Sequence, residues 1–201
     1  MTKMLLLSFI FFTSVSFGQY REGKIIFNDN TSIIGYGEIK NNKILFKVSL
    51  KDQPSEWNYE MAKGIIYSSY GFSEKYVYGK LSKEAVPKLL EVIDEGTISL
   101  YKYATIERVS SGYFPNSGGF GNHPTVTDKF KKEYYVKKDN EEYPTNLNLN
   151  FKSTAIKYFS DCQIICEKIN KRIFTKDTIE KMVNYYNDYC YEVEVDENAS
   201  H

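Results

Sequence analysis

"YFSDCQIICEKIN", residues 158–170, carries two of the chain's three cysteines, four positions apart in a stretch with helical apolar spacing. Whether those thiols bind metal, react or crosslink sets the architecture of the C-terminal region. Around them, Phe151, Ala155, Phe159, Cys162, Cys166 and Ile169 recur every three or four positions, the pattern of an amphipathic helix. Ser160 or Asp161 is placed to cap a fresh turn where that helix bends. After "NKRIF" a second helix is predicted from Thr175, with Asp177 and Glu180 beside the positive end of its dipole. Ile179, Val183, Tyr186 and Cys190 form its apolar face. So short a connection makes the pair an antiparallel hairpin, which brings Cys162 near Cys190.

Three chemistries compete for these cysteines. A structural zinc site needs four Cys or His ligands at characteristic spacings, and the only imidazoles are His123 and the terminal His201. No metal or other cofactor is therefore expected. A cysteine nucleophile needs an exposed, electropositive thiol and a positioned base, whereas these thiols sit on an apolar stripe. A crosslink remains. A bridge between Cys162 and Cys166, one turn apart, strains the preferred dihedral. Pairing Cys162 with Cys190 closes a loop of about 29 residues, worth about 3.5 kcal/mol by chain entropy. Cys166 is then a free thiol acting as a small hydrophobe. Cys166 with Cys190 is the alternative pairing.

The N-terminus is consistent with a disulfide. "MTKMLLLSFIFFTSVSFGQ" has a basic start at Lys3, an apolar run from Met4 to Phe12 and small or polar residues up to Gly18. That is the plan of a secretory signal peptide over 1–18, cut between Gly18 and Gln19. The run is shorter than the roughly 20 residues that span a bilayer, and no cysteine follows it to take a lipid anchor. The expected locations are the periplasm, the cell surface or the medium. About 180 residues then remain, enough for one or two small domains. Lysine plus arginine equals aspartate plus glutamate at 26 each, so no net field draws in nucleic acid or an anionic membrane. Tyrosine is in excess at eighteen residues, a type that favours strands and half-wet surfaces.

Period-two alternation dominates the segment 19–148. "GKIIFNDNTSIIGYGEI" reads as two strands around an Asn28-Asp29-Asn30 turn, and Asn41-Asn42 is a two-residue turn tolerant of positive φ. Further strands are predicted at 57–59, 64–68 and 75–81. Asp94-Glu95-Gly96 and Asp139-Asn140 mark two later hairpins. The fold class is α+β: an antiparallel β-meander, twisted sheet or partial β-roll of about nine strands, with the helical hairpin of 149–192 packed on it. An acidic, flexible tail is expected at 193–201. Residues 110–128 form an irregular, glycine-bearing loop whose spacing fits neither a phosphate loop nor a dinucleotide fingerprint. Its Tyr113, Phe114, Phe120 and His123 are candidates for a ligand or partner contact, because loops of this length are often functional.

"YFSDC" (158–162), the intervening Ile173-Phe174 and "VNYYNDYC" (183–190) resemble the C-terminal box of a family of uncharacterised exported proteins from Bacteroidetes-type bacteria. "GKIIFNDNTSIIGYGEI" and "DEGTISLYKY" resemble that family's opening strands and its later hairpin. Gln163 stands where the family often has Pro, and Cys166 is an addition. The resemblance implies export and fold, since the family has no assigned activity. Neither GxSxG nor HExxH occurs, so no catalytic residue is nominated. Pairs such as Glu91 with Glu95 and Glu141 with Glu142 read as solvated faces. The expectation is a non-catalytic envelope binding or interaction module whose partner is an envelope protein or glycan. The alternative is a hydrolase or other enzyme with a pocket holding two carboxylates of separated pKa. Lys75, Lys80, Lys131 and Lys132 interrupt the strands of any lipid-facing barrel, so an integral membrane protein is not expected.

Overall fold

Alternating apolar and polar residues need a pleated surface that is half buried, and the polar Asn and Gly pairs between them supply the reversals. The computed structural model describes residues 20–69, 71–110 and 126–190. Its first four strands are β1 (Arg21–Phe27), β2 (Ser32–Lys40), β3 (Lys43–Lys47) and β4 (Ser55–Trp57). Three more follow, β5 (Ala62–Ser69), β6 (Phe72–Gly79) and β7 (Lys88–Asp94). The last three are β8 (Ile98–Ser110), β9 (Val126–Lys138) and β10 (Thr145–Asn146). They form one antiparallel sheet in the order β10-β9-β8-β7-β6-β5-β1-β2-β3-β4. Two meanders are thus joined where β1 pairs with β5. Asn41 and Asn42 both adopt positive φ (52° and 61°) in the β2–β3 turn, as a two-residue hairpin matched to strand twist requires.

The strand count is ten rather than nine because β10 is only two residues long. It is held by Asn148, whose side chain accepts from the Tyr134 N–H (2.6 Å) and donates to the Lys132 carbonyl (3.0 Å). The expected loop at 110–128 is shorter at both ends, since β8 runs to Ser110 and β9 starts at Val126 in unbroken register. Continuous cross-strand bonding outweighs the weak strand pattern there. Tyr113, Phe114, Phe120 and His123 lie outside the described residues, as do the signal segment with Gly18 and Gln19 and the 193–201 tail.

The helical region holds α1 (Phe151–Tyr158), α2 (Gln163–Asn170), a 3₁₀ turn (Lys176–Thr178) and α3 (Ile179–Tyr189). The first predicted helix is therefore two. Cys162, rather than Ser160 or Asp161, is the N-cap of α2, with extended backbone at φ −118°, ψ 93°. Asp161 makes no helix cap because its carboxylate is engaged by Lys138 and Tyr186. The break also turns Ile165, absent from the predicted stripe, fully into the core, and Met182 joins it from α3.

Both apolar cores lie on the same face of the sheet, here called the inner face. One gathers Ile98, Leu100 and Val136 with Phe159, Ile165, Met182 and other helix residues. The other gathers Ile25, Ile44, Phe46, Ile65 and Tyr67, with no helix among the described residues packed over it. There the sheet curls on itself instead. The side chain of Asn42 donates to the Pro87 carbonyl (3.0 Å) and accepts from the Leu89 N–H (2.7 Å). The Tyr78 hydroxyl bridges the Asn42 and Trp57 carbonyls at 3.1 Å each. Gly64 permits the curl, for a Cβ at that position would collide with the Tyr76 carbonyl.

Candidate functional site

The C-terminal box is a clamp between helices and sheet. Cys162 and Cys190 form a disulfide with their Cα atoms 5.8 Å apart. Cys166 is free and half-buried, with its thiol directed at the carbonyls of Phe159 and Ile156. Burial pushes its pKa up, and the nearby Asp161 charge adds to this, so the thiol is a poor nucleophile at neutral pH. Phe159 is fully buried and stacks edge-on against Tyr186 at 5.3 Å. Asp161 accepts from the Lys138 ammonium (2.6 Å) and the Tyr186 hydroxyl (2.7 Å). Asn187 accepts from the Ile98 N–H (2.9 Å) and donates to the Ile98 carbonyl (2.9 Å) and Asp94 (2.8 Å). In effect it extends the sheet from the end of α3. Tyr158, Asp161, Tyr186 and Asn187 thus each have an internal hydrogen-bond partner, and the box reads as architecture.

A second polar feature crosses the inner face between the two cores. Tyr76, Glu91, Lys102 and Tyr134 stand directly opposite one another on four successive strands. Glu91 pairs with Lys102 at 2.7 Å, Tyr134 donates to Glu180 of α3 at 2.7 Å, and nearby Arg21 pairs with Glu74 at 2.9 Å. Burial, reinforced by the Glu91 and Glu74 charges, pushes Tyr76 up to about 12. Burial and Glu180 do the same for Tyr134, also to about 12. These hydroxyls are donors at neutral pH and not bases. The hydrogen bond from Arg21 holds Glu74 below the usual carboxylate range. Within the belt Glu91 and Glu74 are thus each paired with a cation, while Glu180 is held by the neutral Tyr134 hydroxyl.

The outer face differs. Register places Leu90 opposite Val77, Val92 opposite Tyr101, and Tyr101 opposite Tyr135. Residues 142–144, which connect β9 to β10, overhang this face and enclose a cleft of about 390 Å³. Val77, Leu90 and Pro144 give it an apolar lining, and Tyr101 and Tyr143 add aromatic surface. Two lysines, Lys80 and Lys137, are also among its lining residues. Among the described residues neither lysine, nor the Tyr101 hydroxyl, has a hydrogen-bond or ion-pair partner. Tyr143 donates to Glu142 at 2.6 Å, and that bond raises the tyrosine's pKa.

Glu142 is the one carboxylate among the cleft's described lining residues, so the cleft lacks the acid pair that a two-carboxylate hydrolase requires. Among the described residues no cluster of three or more His, Cys, Asp and Glu is arranged to hold a metal ion. None of the cleft residues was singled out for binding from the sequence. They come from four strands and two connections, the β6–β7 one with Lys80 and the β9–β10 one with residues 142–144, and the only advance signal was an outward-facing Tyr or Lys. Comparison of the chain with protein-family models, curated proteins and solved structures finds no match.

Proposed function

We propose that the protein is exported, cleaved between Gly18 and Gln19, and acts in the periplasm or at the cell surface as a non-catalytic binding module for an envelope protein or glycan. The observation that carries this reading is the outer-face cleft, where apolar and aromatic residues stand beside two lysines that have no ion-pair partner among the described residues. Small-molecule sites likewise combine apolar and aromatic walls with a few placed polar groups, and this cleft is lined by polar and apolar surface in equal measure. The disulfide supports export, because such bonds persist in oxidising compartments. So does the resemblance of the cysteine box to an exported family. No helix among the described residues is long and apolar enough to cross a membrane.

The test has two parts. The mature protein recovered from an osmotic-shock or culture fraction should begin at Gln19 by mass. It should also be retained on immobilised envelope polysaccharide or protein, and the double variant Tyr101→Ala, Tyr143→Ala, with unchanged circular dichroism, should not. A chain that keeps Met1 in the cytosol, or a double variant retained as well as the wild type, overturns the reading.

A further inference from the structure

We infer that the outer-face cleft selects a sugar carrying a single negative charge, a uronate or a sulfate monoester within a glycan. The inference rests on the binding reading above and adds the ligand's chemistry. Lys80 and Lys137 contribute two positive charges and Glu142 one negative charge, an excess of one. A monoanion neutralises that excess. A phosphate monoester, carrying about −1.5 to −2 at neutral pH, overshoots it beside Glu142. Lysine ammoniums are compact point charges without the fork geometry that reads phosphate bidentately.

The rest of the wall matches the body of a sugar. A pyranose ring offers one face of polarised C–H bonds, which the negative face of a tyrosine ring attracts, and Tyr101 and Tyr143 both line the cleft. Its hydroxyls need donors and acceptors, available in the Tyr101 hydroxyl and the Glu142 carboxylate. The volume of about 390 Å³ lies at the small end of the range for buried ligands and leaves space for about one or two rings. An extended peptide is the weaker match. Of the strands beneath the cleft, β6 to β8 are paired on both sides, and β9 is covered by β10 at Tyr135 and Val136, next to Lys137, so the strand edge beside the cleft is not free for a peptide to pair through its backbone.

The experiment titrates the mature chain, residues 19–201, with galacturonate, galactose 6-sulfate, maltose and a Glu-rich tripeptide, at low and high salt. One or both anionic sugars should bind and weaken at high salt, while maltose and the peptide should not compete. Lys80→Gln and Lys137→Gln should each weaken binding about fivefold, as loss of a solvent-exposed ion pair allows, and Tyr101→Phe should weaken it without changing the salt dependence. Equal binding of maltose, or lysine variants without effect, overturns charge selection. Tighter binding of the peptide overturns the sugar assignment, and absence of binding by both anionic sugars overturns the inference altogether. If both anionic sugars fail while the Tyr101→Ala, Tyr143→Ala protein still loses retention on envelope material, the ligand class is wrong and the binding reading stands.

Discussion

The two cores share one face of one sheet yet are closed by different means. Over β7 to β9 helices cover the sheet, and the crosslinked box holds them there through Phe159, Asp161, Asn187 and the Cys162–Cys190 bond. Over β1 to β6 no helix lies among the described residues. The strands coil until Asn42 reaches Pro87 and Leu89, and Tyr78 reaches Trp57. Covering an apolar face from outside needs long-range fasteners, whereas covering it by curvature needs small residues where backbones approach. The first half should therefore fail when a fastener is cut and the second when a side chain is added.

The largest effect is expected from emptying the fastened core. Phe159→Ala removes a fully buried ring and should cost about 4 kcal/mol, read as a lowered urea midpoint. Next comes the crosslink. Cys162→Ser with Cys190→Ser should cost about 3.5 kcal/mol, from the loop of 28 residues' separation that it releases. Thiol titration of the denatured protein should find one reactive group before reduction and three after. Hydrogen exchange would sharpen the contrast, with protection lost first in α1 to α3 and last in β1, β2 and β5. Equal loss throughout would mean that the cores are one cooperative unit. In the coiled half, Gly64→Ala pushes a methyl into the Tyr76 carbonyl and should cost about 3 kcal/mol, with the helices still docked. Asn187→Ala strands the N–H and C=O of Ile98 and should cost about 2 kcal/mol.

How far these features could be read in advance follows the range of the interactions. Strands and turns are local, so the alternation in β1 to β3 and the Asn41-Asn42 reversal were legible in the sequence. The Cys162–Cys190 pairing was legible as the preferred of two, because both cysteines fall on predicted apolar faces. The break between α1 and α2 was not. It depends on Asp161 leaving the helix for Lys138 and Tyr186, partners 23 and 25 positions away. Asn187 was visible only as a letter of the box, since its partners lie 89 and 93 positions upstream. The tyrosine excess resolves into hydroxyl donors at core margins, with Tyr78, Tyr134, Tyr158 and Tyr186 each holding a distant backbone or carboxylate oxygen. The cleft was illegible because its walls converge from separate strands without a local motif.

The smallest expected effect concerns acid. Burial works to raise the Asp161 pKa, but the hydrogen bonds from Lys138 and Tyr186 outweigh it and hold the carboxyl below its ordinary value. A carboxyl with a folded pKa below its unfolded one binds fewer protons when folded. Its contribution is therefore fully present above the unfolded value and is lost as the pH falls through the folded one. With nearly half of the Asp161 side chain exposed, solvent screens the pair and the contribution is modest. Asp161→Asn should thus lower the melting temperature slightly at pH 7, and the wild-type and variant curves should converge as the pH drops below the carboxylate range. Curves that stay parallel across that range would show that Asp161 fastens the helices by shape alone, and the ionic part of the clamp would have to be assigned elsewhere.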